Sequence, residues 1–444
     1  MKIGKQREIK LACLLICSML PLPGFAATAL SLKSVVKLAV ENNKDLKAAR
    51  YNVLLAASRL KQTGLWANPS LQILNSDDRF FTNEGEYTRS IGFIQAFPVS
   101  GRINKQKNVA RIDIAIAMAE IRNAKRQLRG QVAENFYALL ITDERLKQLN
   151  KLLTISQQLM QVSQKRFYAA EVSELDANTT KLEYQRLLQE KQALTSLRIN
   201  QQARLNLLLG RERQTSLLIN KSLPRLAGLP SLTALQQHAL QQRPEMQIAW
   251  LNFTRAQADA QLARRERWAD WTIGLAVQQE KIAVEGAPQQ KPDRALNVNI
   301  SIPLPLINKN QGRIMETKLQ GTKNLMTIKA LKLTIRNEVA SNYGQVNALH
   351  MALQQLQTGN TFKLVNRNIK LAREAYQNGQ ISLLEVLQIQ RQQNELQTSQ
   401  LNVLEKYLQA VVKLCTALGN NRISLCSPFS GKRTLNVFVH REVS

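Results

Sequence analysis

WADWTIGLAVQQ, residues Trp268 to Gln279, alternates from Trp271 onward. Trp271, Ile273, Leu275 and Val277 fall on one side; Thr272, Gly274, Ala276 and Gln278 fall on the other. A period of two marks a β-strand. The chain around it is polar, rich in glutamine and written over long distances with the period of helices. A short strand with one apolar and one small or polar face needs two different surroundings.

Three other segments behave in the same way. The strand candidates are Pro69–Asn75, Arg89–Phe97, Trp271–Gln279 and Ala295–Ile302. In the fourth, Leu296, Val298, Ile300 and Ile302 alternate with Asn297, Asn299 and Ser301. In the second, Ile91 and Phe93 oppose Gly92 and, less cleanly, Ile94. In the first, Leu71 and Ile73 oppose Ser70 and Gln72. Polar loops, Ser76–Thr88 and Glu280–Arg294, join the strands in pairs. The strands are near the 9–11 residues that a tilted strand needs to cross a bilayer. A membrane strand turns its apolar row to lipid and its polar row to a watery lumen. Trp268 and Trp271 stand where interfacial aromatics are expected. Two soluble hairpins packed on helices would read alike, strand by strand.

The N-terminus argues for export. MKIGKQREIK is basic, LACLLICSMLPLPGF is apolar and of signal-peptide length, and AATAL supplies small residues for cleavage after Ala27 or Ala29. No later run reaches about 18 apolar residues, so no transmembrane helix is expected. Of four cysteines, Cys13 and Cys17 leave with the signal. Cys415 and Cys426 remain, either as a disulfide or as one helix cysteine and one tail cysteine. The formal net charge of +29 is spread along helices among Gln and Glu. No helix-turn-helix unit, paired CxxC or aromatic sheet motif accompanies it, which argues against nucleic acid.

The chain is written twice. LAVENNKDLKAA (Leu38–Ala49) matches HALQQRPEMQIA (His238–Ala249), and FPVSGRINKQ (Phe97–Gln106) matches IPLPLINKNQGRI (Ile302–Ile314). RFYAAEVSELD (Arg166–Asp176) matches EAYQNGQISLLE (Glu374–Glu385). Val172 and Ile381 are 209 residues apart, as are Gly210 and Gly419. The expected organisation is a signal at 1–29, a first repeat at 30–210, a linker at 211–232, a second repeat at 233–419 and a tail at 420–444.

The helices are long. From Lys105 to Phe167 there is no proline and one glycine, Gly130. Such a run spans about 90 Å. Val132, Leu139, Leu146, Leu153, Met160 and Phe167 recur every seventh residue, a seam of coiled-coil type. Rods of this length pack side by side, within the chain and with copies of it. The strands make the same demand. Four cannot close a barrel with a usable lumen, and open edges are forbidden in lipid. Three copies would pool twelve strands and enough helices for a tube.

AVENNKDLKAAR, GLWANPSLQI, FPVSGRINKQKNVA, ISIPLPLINKNQGRI and AYQNGQISLLEVLQIQRQQNEL, in this order and duplicated, resemble the TolC-type outer membrane efflux proteins. Within that family the chain is most similar to the heavy-metal (CzcC- and CusC-like) outer membrane factors, from about Leu30 to Gly419. The resemblance implies a mainly α fold with a transmembrane β part. It would be a homotrimer with four membrane strands and long periplasmic helices per chain, ringed by a mixed equatorial region. It implies the outer membrane of a Gram-negative bacterium and contact with its lipid. The implied partners are a periplasmic adaptor (membrane fusion) protein and an inner-membrane resistance-nodulation-division pump. The implied role is a passive exit duct, here for heavy-metal cations.

The resemblance also assigns positions. Tyr376, Gly379, Ser382 and Glu385 fall on the family's turn at the periplasmic tip. Ser173 and Asp176 match it in the first half, with Ala170 standing where Gly379 stands. Ser382 with Glu385 reads as a capping box. Ile91, Phe93, Trp271, Ile273, Leu275, Val277, Leu296, Val298 and Ile300 would face lipid. Pro98, Pro303 and Pro305 would end the ladders. Gly101 and Gly312 would supply flexible exits, and Asn308, Asn310 and Gln311 would satisfy loose backbone groups at the barrel-to-helix junction.

No enzyme signature appears, and no cofactor, catalytic residue or metal site is expected. His238, His350 and His440 lack ligand spacing. Asp77 and Asp78 read as a solvated turn rather than a cation site. Drug efflux or type I protein secretion would use the same architecture, and a structural periplasmic coiled coil is the alternative from another class.

Overall fold

The computed structural model describes residues 29–78, 85–220, 230–283, 286, 288, 290–358 and 361–419. The expected signal peptide up to residue 28, the 420–444 tail with His440, and residues 221–229 of the linker lie outside them. Cys415 is disulfide-bonded, and the other three cysteines lie outside the described residues.

Two short helices open the chain, α1 (Leu32–Asn42) and α2 (Lys44–Thr63). Asn43 ends one and starts the other: its Oδ1 accepts from the Leu46 N–H at 2.8 Å, satisfying a first-turn donor. Strands β1 (Ser70–Asp77) and β2 (Tyr87–Phe97) follow, then α3 (Arg102–Tyr168) and α4 (Glu174–Leu208). The second half runs α5 (Leu232–Gln242), α6 (Pro244–Glu266), β3 (Trp271–Lys281), β4 (Asp293–Ser301), α7 (Gln311–Thr358), α8 (Thr361–Gln377) and α9 (Leu383–Ala417). The strands extend past the apolar stretches toward their loops, because backbone pairing continues through Asp77, Tyr87, Lys281 and Asp293.

Helix α3 is the spine. Its 67 residues reach about 100 Å. It packs on α1, α2, α4, α6 and α9 in turn, so both halves share it. The heptad seam turns inward: Val132, Leu139 and Leu153 are buried, and Leu146, Met160 and Phe167 are half-buried. Each buried Leu or Val contributes roughly 1.5–3 kcal/mol relative to exposure.

Two cores flank Tyr137 of α3. In one, Val35, Val36 and Ala39 of α1 meet Val132, Phe136 and Leu139 of α3 and Leu205 at the end of α4. In the other, Leu235 and Ala239 of α5 meet Ile335, Val339 and Val346 of α7 and Leu404 and Leu408 of α9. Leu30 bridges Ile219, with Leu30 N–H donating to Leu218 O at 2.9 Å and Asn220 N–H to Leu30 O at 2.9 Å. This joins the start of the described chain to the segment between the halves. Among the described residues, no helix is long and apolar enough to cross a membrane.

Candidate functional site

The four strands form one antiparallel meander in the order β1-β2-β3-β4. Register fixes which side chains share a face. Ile73, Ile91, Val277 and Leu296 form one row; Leu71, Phe93, Leu275 and Val298 form the next. Ile273 beside Ile300 continues the face, and Phe97 beside Trp271 closes it near the helices. All nine strand residues singled out above lie here, most of them exposed; Phe93 is 61% and Val298 59% accessible. A contiguous exposed apolar face of this kind marks a surface that something other than water covers.

The opposite face is mostly small and polar, with Leu74 and Ile94 as its large apolar residues. Gln72, Gly92, Ala276 and Asn297 share a row, and Asn297 Nδ2 donates to Gln278 Oε1 at 2.5 Å. A Cβ at Gly92 would come within 2.5 Å of the Ala276 Cβ. That position therefore accepts no side chain without the strands parting. The outer strands β1 and β4 each pair on one side only among the described residues.

Strand β2 stops at Phe97, before Pro98, and β4 stops at Ser301, ahead of Pro303 and Pro305. The expected role of Gly312 is corrected. Gly312 lies inside the first turn of α7, and the left-handed residue before that helix is Asn310, at φ 58°. Gly101 takes the same place before α3, at φ 70°. The two are 209 residues apart, the spacing of the duplication. Asparagine tolerates this region because its side chain bonds nearby backbone. Here Asn310 Nδ2 donates to Ala263 O at 2.9 Å, and its own N–H donates to Asn308 Oδ1 at 2.9 Å. Gln311 Oε1 accepts from the Lys309 N–H at 2.9 Å. Across the first junction, Arg102 forks onto Asp270 with bonds of 2.8 and 2.5 Å, tying α3 to the entry of β3.

At the far end, α3 turns into α4 and α8 into α9. Ala170 N–H donates to Phe167 O and Glu171 N–H to Arg166 O, both at 2.9 Å. Gly379 and Gln380 repeat the pattern onto Tyr376 O and Ala375 O at 3.0 and 2.8 Å. Both are Schellman closures. Ala170 holds φ 56° where Gly379 holds 74°, so alanine adopts the glycine shape rather than changing the turn. That conformation costs an alanine roughly 1 kcal/mol. Ala170→Gly is therefore expected to stabilise this turn by about 1 kcal/mol. Hydrogen exchange across residues 166–176 should slow; unchanged or faster exchange would count against the strain.

The outgoing helices are capped. Ser382 Oγ accepts from the Glu385 N–H at 3.4 Å while Glu385 Oε2 accepts from the Ser382 N–H at 2.8 Å, a complete capping box. In the first half Ser173 caps the Asp176 N–H at 3.2 Å, and the shorter Asp176 accepts from the Ser173 hydroxyl at 2.8 Å.

Arg166, which the sequence did not single out, joins the two turns. Its Nη1 donates to Tyr376 O at 3.1 Å, its Nε donates to Glu171 at 3.0 Å, and its guanidinium lies 5.2 Å from the Tyr376 ring centre. Tyr376 is buried among Leu383, Val386 and Leu387. One turn further in, Glu183 accepts from Arg186 at 2.8 Å and lies 3.5 Å from Arg391. Hydrogen bonding from Arg186 holds the Glu183 carboxyl below the usual carboxylate range. His350 packs its ring 6.2 Å from that of Tyr407, and burial pushes the Tyr137 and Tyr407 hydroxyls up to about 12. His238 sits in α5. Asp77 lies 3.6 Å from Arg89, an ion pair within the sheet. No group of three potential metal ligands occurs among the described residues.

The chain thus combines an exposed apolar sheet, whose outer strands pair on one side only among the described residues, with long polar helices. Residues 235–420 match the outer membrane efflux protein family, and the chain carries that family's domain. The cobalt-zinc-cadmium resistance protein CzcC of Cupriavidus metallidurans is 24% identical over 404 residues, covering 90% of this chain and 93% of CzcC. A crystal structure of CusC superposes with a TM-score of 0.71 at 18% identity, covering 90% of this chain and 95% of CusC. The Campylobacter jejuni CmeC outer membrane channel superposes at 0.67 and 15% identity, over 87% of this chain and 85% of CmeC. Residues 235–420 thus match an outer membrane efflux protein domain, and the chain has the fold of these solved outer-membrane channels.

Proposed function

We propose that three copies form a passive exit duct for heavy-metal cations, the outer-membrane member of a tripartite resistance-nodulation-division efflux system. The observation that carries the channel is the sheet: an exposed apolar face, a small polar face and two free edges in one four-stranded meander. Lipid tolerates no unpaired ladder, so β4 of one copy must pair with β1 of the next. In a meander those two strands run in opposite directions, so twelve strands close antiparallel throughout. Ile91, Phe93, Trp271, Ile273, Leu275, Val277, Leu296, Val298 and Ile300 then face lipid, and the row of Gln72, Gly92, Ala276 and Asn297 lines water.

Two duplicated units, 30–210 and 233–419, build each third of the tube, with the 211–232 segment at its equator. Pro98, Gly101, Pro303, Pro305 and Asn310 make the passage from sheet to helix. The turns carrying Ala170, Ser173, Asp176, Tyr376, Gly379, Ser382 and Glu385 present rigid, capped ends to a periplasmic adaptor. Similarity to CzcC supports metal cations as cargo. A duct needs no tight cargo site, because a strong site slows release.

The test is twofold. Purified protein should give discrete conductance steps in planar bilayers, and its absence would remove the duct. Deletion of the gene should sensitise cells to cobalt, zinc, cadmium, copper or silver. Sensitisation to organic drugs alone would reassign the cargo.

A further inference from the structure

We propose that Arg89, Lys281 and Arg294 form a binding rim for phosphate-bearing lipid of the outer leaflet, at the loop end of the sheet's apolar face. The proposal rests on the membrane reading of the sheet given above. Register places the three cations. Arg89 lies beside Asn75 and Gln279, and Gln279 lies beside Arg294. Lys281 lies beside Tyr87, which lies beside Asp77. By the two-residue period, all of them share the face of Ile91, Val277 and Leu296. They occupy the first rows beyond the apolar band, which runs about 20 Å along β3 from Trp271 to Val277.

Among the described residues, the charge on this face is unbalanced. Asp77 is the carboxylate that register places with these cations. The cross-strand neighbours Glu280 and Asp293 belong to the opposite face by the same period. Among the described residues, Lys281 and Arg294 have no ion-pair partner. Arg89 is braced: its Nε donates to Asn75 Oδ1 at 3.0 Å, its Nη2 lies 3.6 Å from Asp77, and its Cζ lies 4.8 Å from the Tyr87 ring centre.

The helix end of the same face has another chemistry. Trp66 meets Phe97 edge to face at 5.8 Å, with Trp271 beside Phe97. Two cations there are engaged, Arg102 with Asp270 and Arg267 over the Trp268 ring. The band is therefore aromatic at one border and cationic at the other. An acyl chain lying along Val277 and Leu296 would bring its headgroup phosphate level with Arg89 and Arg294. Guanidinium forks match phosphate oxygens two at a time. A free phosphate ion would have no use for the adjoining apolar rows, which is why lipid is the occupant.

The test compares the full-length wild type with R89Q/K281Q/R294Q. The probes are diphosphorylated lipid A, its dephosphorylated counterpart and inorganic phosphate, each titrated into detergent-solubilised protein. Wild type should bind the diphosphorylated lipid about tenfold more tightly than the triple variant does. Dephosphorylation should cost the wild type a similar factor and the variant little. Equal binding by both proteins, or stabilisation by inorganic phosphate as large as by the lipid, would overturn the rim. Conductance in phosphatidylcholine bilayers separates this from the parent reading. If both proteins conduct but bind the lipid alike, the rim alone fails; if neither conducts, the membrane reading fails first.

Discussion

Replacing Leu275 by arginine is expected to empty the outer-membrane fraction of assembled protein. Leu275 lies mid-band: Phe93 and Val298 flank it across the strands, and Ile273 and Val277 flank it along β3. It is 53% exposed, so an arginine would fit sterically and its charge alone would be tested. At the bilayer midplane that charge costs roughly 2–4 kcal/mol. One closed barrel would carry it three times, about 6–12 kcal/mol per assembly. Asn297→Arg is the control. It lies at nearly the same height but on the opposite face, one residue out of phase with Val298. The control should assemble normally and change the ion preference of the conductance. The measurement is the amount of heat-dissociable oligomer in outer-membrane fractions. Equal assembly of the two variants would mean that the apolar face does not meet lipid.

The two faces were legible because a strand writes them within ten residues. Alternation needs no knowledge of distant partners, and the register then aligned four independent alternations into continuous rows. The capping box at Ser382 and Glu385 was legible for the same reason, being a three-residue interaction. The junction departs from the expectation at one residue. The match of FPVSGRINKQ with IPLPLINKNQGRI points to Gly312, yet the fold follows the 209-residue spacing, which lands on Asn310. That spacing was available and outweighs a three-letter match, because backbone shape is inherited by position.

What stayed hidden are the long-range ties. Arg166 meets Tyr376, and Arg243 meets Glu338, across helices far apart in sequence. A buried arginine and a solvated one read alike in a chain with 61 basic residues. The one available hint was the alignment of LAVENNKDLKAA with HALQQRPEMQIA. It sets Arg243 opposite Asn43, which caps a helix and bonds Leu208 O at 3.0 Å. An arginine in that buried place has to bring its counter-charge with it.

That counter-charge makes Glu245→Ala the second large effect. Arg126 of α3 and the Arg243 side chain before α6 are each only 5% exposed. Glu245 lies between them, accepting from Arg126 at 2.7 Å and lying 2.6 Å from Arg243. Arg243 also donates to Glu338 of α7 at 2.6 Å, and Arg126 to Thr416 O of α9 at 2.6 Å. Four helices thus meet through two buried guanidinium groups that share Glu245. Burial already lowers the Arg126 pKa, the expected sign for a cation removed from water. Without Glu245, Arg126 keeps only neutral acceptors and Arg243 keeps one half-exposed partner. Stranding buried charge in this way costs about 3–5 kcal/mol. The apparent unfolding temperature of the detergent-solubilised protein should fall sharply. A triple change, Arg126→Met with Arg243→Met and Glu245→Leu, removes the charges together with their desolvation cost. It should therefore be tolerated better than the single change. If the triple variant is the less stable of the two, the cluster contributes net attraction rather than mutual compensation, and stranded charge is not the cause of the loss.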